Sequence, residues 1–105
     1  MRKLKEMDYP TLVALNERSI RAGRRQNLSP RRMPSQLHEP YMVNHHVVHE
    51  WEGRQDIRMS VVLTSGGQTA WLDVSPEEFD AIPEVELSEL DWEAAICPGT
   101  PPAMP

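Results

Sequence analysis

The chain has 105 residues, of which ten are proline and one is cysteine, with a 39% apolar fraction and a net charge of −5. This size is that of one domain with a modest core, and the lone Cys97 argues against a disulfide-stapled secreted scaffold. The N-terminus does not resemble a signal peptide, and no run approaches the roughly 20 apolar residues that cross a bilayer, so we expect a cytoplasmic protein of a bacterium or virus-infected host cell, or a component of a viral particle.

Charge divides the sequence into two unequal parts. Residues 1–32 hold nine basic and three acidic residues, a net charge of +6, whereas residues 33–105 hold two basic and thirteen acidic residues, a net charge of −11. Such asymmetry is typical of an interaction arm or of an internal electrostatic match. An acidic surface is predicted at Glu77, Glu78, Asp80, Glu84, Glu86, Glu89, Asp91 and Glu93.

The first predicted element is a helix that Asp8 caps and that ends near Ala22. Pro10 suits its first turn, where the missing N–H costs nothing, and Gly23 is a favourable C-terminal stop. Its apolar stripe consists of Tyr9, Leu12, Val13 and Ile20, with Asn16 interrupting it.

A basic, proline-containing segment follows the helix. Residues 24–40 show no periodicity, and an irregular stretch of this length is typical of a functional loop, a wrapping segment or disorder. Together with the end of the helix it forms a basic arm, residues 18–32, that suits phosphates or the carboxylates of a protein. Interleaved aromatic residues that would stack on single-stranded bases are missing from it. The partner-binding arginines predicted here are Arg18, Arg21, Arg24, Arg25, Arg31 and Arg32.

Alternating apolar residues predict a three-stranded antiparallel meander over residues 41–74. Gly66 and Gly67 predict a tight hairpin between the second and third strands. In that hairpin Leu63 would lie opposite Ala70, and a slip of one residue would scatter the apolar face.

The first hairpin of the meander is predicted to turn at Arg54–Asp56, which would place Trp51 beside Met59. With that register the second face of the sheet carries an apolar strip of Val48, Val62 and Trp71. An uncovered strip with a central tryptophan is a common anchor of a protein interface. The same strip could instead be covered by the C-terminal segment.

The C-terminal part begins with a capping box, Ser75 to Glu78, that predicts a short helix burying Phe79. Ser88 begins a similar pattern for one or two turns carrying Trp92 and Ile96. The expected fold is therefore α+β, with an N-terminal helix, the meander and one or two short C-terminal helices in a single domain. Residues 1–40 form the helix and arm, residues 41–97 the sheet and acidic helical segment, and residues 98–105 a proline-rich tail.

Three histidines close together in the sequence suggest a metal site, but the extended conformation of the predicted strand would hold them apart. His45 and His49 would lie about 13 Å apart on a strand, too far for one ion. The sequence has no phosphate-binding glycine loop, and Cys97 offers the one possible thiol nucleophile. We therefore expect no catalytic site, no metal and no cofactor.

These observations favour a non-enzymatic protein–protein interaction module. It would be a subunit of a larger assembly or a small inhibitor or adaptor, binding a protein partner or its own copies through a charge-polarised surface. Its size, acidic balance and lack of catalytic motifs are typical of small accessory proteins of bacteriophages. The alternatives are nucleic-acid binding through segment 18–32, an acidic inhibitor that mimics DNA, and a metal-dependent hydrolase that uses the histidines.

Overall fold

The computed structural model describes residues 2–29, 39–63 and 68–91 and has an α+β architecture with an antiparallel sheet, as the sequence predicts. The elements in chain order are β1 (Arg2–Met7), α1 (Tyr9–Arg21), β2 (Tyr41–Trp51), β3 (Arg54–Val62), β4 (Thr69–Val74), α2 (Pro76–Ala81) and β5 (Glu84–Leu87). Residues 89–91 are helical, and Ser88 Oγ accepts a hydrogen bond from the Asp91 N–H at 3.1 Å.

Helix α1 forms where the sequence predicts it. Asp8 caps the helix by accepting a hydrogen bond from the Thr11 N–H at 3.0 Å. Past its C-terminal end, Gly23 has a φ of +73°, a conformation that glycine adopts without steric cost. The buried face differs from the predicted stripe, because Ile20 is exposed. The buried residues of α1 are Leu12, Leu15, Asn16 and Ser19.

Helix α2 begins at the predicted capping box. Ser75 Oγ accepts a hydrogen bond from the Glu78 N–H at 3.1 Å, and the Glu78 carboxylate accepts one from the Ser75 N–H at 2.9 Å. This helix buries Phe79 against the sheet. Trp92, which was predicted for the second C-terminal helix together with Ile96, lies outside the described residues, as does the predicted tail.

The sheet has five strands in the order β4-β3-β2-β1-β5, so the predicted three-stranded meander is incomplete. Strands β1 and β5 are missing from the prediction because their many charged residues obscure the apolar alternation. They pair antiparallel, with Lys3 opposite Glu86 and Lys5 opposite Glu84. Opposite charges facing each other across strands are attractive, so part of the charge division of the sequence is an internal match.

The register between β3 and β4 differs from the prediction by two residues. Val61 lies opposite Ala70, and Met59 opposite Leu72, whereas Leu63 was predicted to face Ala70. Since side chains alternate with a period of two, a shift of two residues keeps every side chain on its predicted face. The predicted turn at residues 66 and 67 lies outside the described residues.

The predicted turn between β2 and β3 at residues 54–56 is wrong. The chain turns at Glu52 and Gly53, both with positive φ (+52° and +77°), as a two-residue type I′ turn requires. Trp51 therefore lies opposite Arg54. This moves the pairing by five residues from the predicted register. Because five is odd, the side chains of β2 from His45 to Trp51 lie on the opposite faces of the sheet from those predicted. A bulge between Val43 and His45 keeps Tyr41 and Val43 on the predicted core face.

The two faces of the sheet have different surroundings. Both helices pack on one face, here called the helix side, whose core includes Leu12, Leu15, Tyr41, Met59, Val61, Leu72, Val74, Phe79 and Ile82. The opposite face, here called the outer face, carries the alternate residues of β2, β3 and β4, and neither α1 nor α2 packs on it. At one end of the outer face Met42 and Val62 are buried.

The cap of α1 makes a prediction about acid stability. Hydrogen bonds from the Thr11 side chain, and then from its N–H, hold the pKa of Asp8 below its ordinary value. The stabilisation by ionised Asp8 is therefore complete above its unfolded pKa of about 3.9 and is lost as the pH falls through the lower folded value.

Asp8→Asn keeps a capping oxygen but does not titrate. We expect wild type to be more stable than Asp8→Asn at neutral pH, and the difference to shrink as the pH falls below about 4. Urea unfolding of both proteins across that pH range measures this. A difference that stays constant with pH would contradict the prediction.

Candidate functional site

The structure does not form the predicted apolar strip of Val48, Val62 and Trp71. Val62 is only 2% exposed, and the changed register of β2 places Val48 on the helix side, where it is 57% exposed. Trp71 is half-buried on the outer face. Val47 takes the place predicted for Val48, and lines a small cleft with Trp71. The three residues therefore do not share one surface.

Much of the predicted basic arm is part of the fold rather than a free segment. Arg25 and Asn27 bond to the edge of β4, the Arg25 carbonyl accepting from the Asp73 N–H at 2.8 Å and the Asn27 N–H donating to the Trp71 carbonyl at 3.0 Å. Asn27 Oδ1 also accepts from the Trp71 N–H at 2.8 Å. This segment therefore forms an isolated antiparallel bridge at the edge of β4, with Gln26 opposite Leu72. Predicted site residues Arg31 and Arg32 lie outside the described residues.

The remaining predicted arginines lie on α1 and stay exposed. Arg21 is 4.0 Å from Glu17, four residues earlier on the same helix, and Arg18 is 4.0 Å from Glu78. Exposed ion pairs of this length contribute little to stability. These two side chains are not part of the arginine cluster described next.

Two fully buried carboxylates organise the arginines of the outer face. Asp56, on β3, accepts hydrogen bonds from Arg24 Nε at 3.2 Å and from Arg54 Nε at 3.3 Å. Each of these two arginine side chains keeps a fraction of its surface in solvent. Alternation along β3 puts Arg54, Asp56 and Arg58 on one face, which brings an anion between two cations.

The second carboxylate, Asp73 on β4, has three cationic or potentially cationic neighbours. Arg58 donates to it through Nε at 2.9 Å and through Nη2 at 3.4 Å. His49 Nε2 lies 3.1 Å from Asp73 Oδ2, and Arg25 Nε lies 3.8 Å from the same oxygen. Charge-assisted pairs of this kind fix the orientation of the guanidinium planes.

Two tryptophans complete the cluster. The guanidinium of Arg25 lies 4.2 Å from the ring centre of Trp51, and that of Arg58 lies 4.8 Å from the ring centre of Trp71. Cation–π contacts at this range hold the arginines against the sheet surface. Trp51 Nε1 and Arg54 Nη2 are buried donors that have no hydrogen-bond partner among the described residues.

We call this cluster the cationic face; its residues are Arg24, Arg25, Arg54, Arg58, His49, Trp51, Trp71, Asp56 and Asp73. With neutral His49 it carries four positive and two negative charges, so its net charge is +2 in a chain of net charge −5. Only Arg24, Arg25 and Trp71 were predicted as site residues. The others could have been found from the alternating Arg54-Gln-Asp56-Ile-Arg58 pattern, had the register of β2 been correct.

The predicted acidic residues lie at the other end of the sheet or on α2. Glu77 and Asp80 are exposed on α2, and Glu84 and Glu86 face lysines of β1 across the strand pair. Glu78 is partly buried in the capping box. Glu89 and Asp91 are exposed, whereas Glu93 lies outside the described residues. The described chain thus has a cationic face on the outer face of the sheet, and its predicted acidic residues lie on α2, on β5 and at residues 89–91.

The described part of the chain also has a cleft and metal-ligating residue types away from this surface. A cleft of about 490 Å³ lies between α1 and the end of α2, lined mostly by apolar residues such as Leu15 and Ile82. Among residues 2–29, 39–63 and 68–91, no three His, Cys, Asp or Glu side chains are placed to hold a metal ion. No helix in these ranges combines the length and apolar character needed to span a membrane.

Comparison with known proteins gives no relative on which to base a function. No family model matches the chain, and neither the curated proteins nor the solved structures contain a significant match.

Proposed function

We propose that this protein is a non-enzymatic interaction module that binds an acidic protein partner through the cationic face. One observation carries the proposal: four guanidinium groups surround two buried carboxylates on a sheet face on which neither described helix packs. In this role the protein is a subunit of a larger assembly, or a small inhibitor or adaptor.

The fixed positions of the guanidinium groups support this function. Asp56 and Asp73 hold them in fixed positions before any partner arrives, which lowers the entropy lost on binding. Arg25 keeps 41% of its side chain exposed while resting on Trp51. A partner carboxylate can therefore reach an oriented donor. Arginine and tryptophan are also enriched among the residues that dominate interface energies.

The separation of charge supports a preferred orientation of the partner. Exposed acidic residues such as Glu77 and Asp80 lie on α2, which packs on the helix side of the sheet, whereas the cationic face is on the outer face. A protein with opposite charges on different surfaces steers an oppositely charged partner to one of them and repels it from the other. An acidic partner is therefore directed to the outer face.

Nucleic acid is the second candidate, because ordered arginines also bind phosphates. Two observations make it the weaker one. Arg25 and Arg58 cover the tryptophan rings on which unpaired bases would stack. The chain as a whole is acidic, unlike the basic domains that usually bind nucleic acid.

Arg25→Gln tests the proposal. We expect this variant to bind its partner at least about tenfold more weakly, because it removes an exposed charge from the centre of the interface. Tagged wild-type and variant proteins are used to purify partners from the native host, with and without nuclease. The affinity for the purified partner is then measured by calorimetry.

Arg21→Gln is the matched control, since it makes the same change at an exposed arginine of α1, away from the cationic face, and should leave binding unchanged. Thermal unfolding of both variants checks that the fold is intact. If Arg25→Gln binds as tightly as Arg21→Gln, the cationic face is not the interface. If the partner is lost after nuclease treatment, the second candidate replaces the first.

A further inference from the structure

Strand β2 has an unusually long free edge. It pairs with β1 at only two positions, Glu6 opposite Met42 and Met7 opposite Tyr41, after which β1 turns away to pair with β5. From His45 to Trp51, after a bulge at Asn44, β2 pairs with β3 on one side only. Among the described residues no strand pairs with the other side of this stretch.

The other two sheet edges are protected along their length, whereas among the described residues the free edge of β2 has only a bulge at its start, between Val43 and His45. Strand β5 has four residues, of which Glu84 and Glu86 are exposed, and the edge of β4 is covered by the bridge at Gln26. Short length, exposed charge and covering segments are the usual protection against further strand pairing.

The free stretch of β2 lacks lysine, arginine and proline and exposes two neighbouring valines. Val47 is 44% exposed and Val48 is 57% exposed. Unpaired backbone groups together with exposed β-branched side chains favour the addition of another strand.

We infer that a second copy of this chain binds here, with the two β2 strands antiparallel and Val48 opposite Val48 of the second copy. Directly opposed residues share one face of an antiparallel sheet. In this register His46 faces Glu50 of the second copy on the helix side, and the twofold axis repeats the same pair. The most exposed valine is then buried against itself, which is the self-complementarity that a twofold interface requires.

The junction between β1 and β2 distinguishes the register with Val48 on the twofold axis from the register with Val47 on it. If Val47 lay on the axis, Glu52 of the second copy would fall opposite Met42, a position that Glu6 already occupies. With Val48 on the axis, Glu52 falls opposite Asn44, at a cleft of about 300 Å³ between β1 and β2. Lys3 lines this cleft and is exposed. The acidic turn of one copy thus meets a basic residue of the other.

Association is tested first by sedimentation of the whole chain over a range of concentrations. We expect a monomer–dimer equilibrium in wild type, and a dissociation constant at least about tenfold higher in Val48→Lys, because this variant places like charges opposite each other. Val48 is exposed, so the monomer should fold normally. Ile20→Lys is the control, since it makes the same change at an exposed site on α1 and should leave the dissociation constant unchanged.

The register is tested by disulfide formation in a Cys97→Ser background. Opposed residues of antiparallel strands have Cα atoms about 4.5–5.5 Å apart, within the range that a disulfide spans. Val48→Cys should therefore form a covalent dimer on mild oxidation, whereas Val47→Cys should not.

Wild-type protein that remains monomeric at about 1 mM would overturn the proposal, as would equal dissociation constants for wild type and Val48→Lys. A covalent dimer from Val47→Cys but not from Val48→Cys would overturn the register. These tests use the edge of β2, whereas the partner test above uses Arg25 on the outer face, so either proposal can fail alone.

Discussion

Asp73→Ala is expected to lower the free energy of unfolding by about 3 kcal/mol. Asp73 is fully buried and is approached by Arg58, His49 and Arg25. Removing one member of a buried ionic network leaves the others without compensation, at a cost of roughly 3–5 kcal/mol. We expect the lower end of this range, because Arg25 and Arg58 are partly exposed and can regain water.

Urea unfolding followed by tryptophan fluorescence measures this loss, since Trp51 and Trp71 contact the same arginines. Asp80→Ala, an exposed change on α2, is the control and should alter stability by less than about 0.5 kcal/mol. A loss below about 1 kcal/mol in Asp73→Ala would show that the network behaves as an ordinary surface ion pair.

Asn16→Leu is expected to stabilise the protein by about 1–3 kcal/mol. Asn16 is fully buried on α1, and within the part of the chain that the structure describes neither its amide nitrogen nor its oxygen has a hydrogen-bond partner. Leucine has the same number and branching of side-chain heavy atoms and no polar group to leave unsatisfied. The change also raises helix propensity slightly.

Thermal and urea unfolding of Asn16→Leu measure this gain. Asn27→Leu serves as the contrast, because the Asn27 side chain accepts a hydrogen bond from the Trp71 N–H and its loss should be destabilising. A destabilised Asn16→Leu protein would contradict the prediction, and would mean that the site is too tight for the apolar side chain.

The sequence predicts the elements whose signals are local. The Asp8 cap and Gly23 set the limits of α1, and the Ser75 capping box sets the start of α2. Apolar alternation over residues 57–63 identifies the face that lies in the core. Each of these signals needs only a few neighbouring residues, which is why they persist in the structure.

The cationic face depends on pairing that local signals do not determine. Glu52-Gly53 is a less characteristic turn sequence than Asn-Gly, and the error in the turn moved the β2 side chains from His45 to Trp51 to the wrong face. His49 was therefore not placed beside Asp73, nor Trp51 beside Arg54. Likewise Lys3 and Glu86 are far apart in sequence, and no local pattern predicts their pairing.

The pairing between β1 and β2, which is only two residue pairs long, has a consequence for the kinetics of folding. Strands β2, β3 and β4 follow one another closely in sequence, whereas β1 and β5 come from opposite ends of the described chain and meet these three strands through two residue pairs. Contacts between sequence-distant segments form slowly, because closing a long loop costs entropy before any bond forms. Strands β1 and β5 should therefore assemble after β2, β3 and β4, and their amide protons should exchange with solvent without global unfolding.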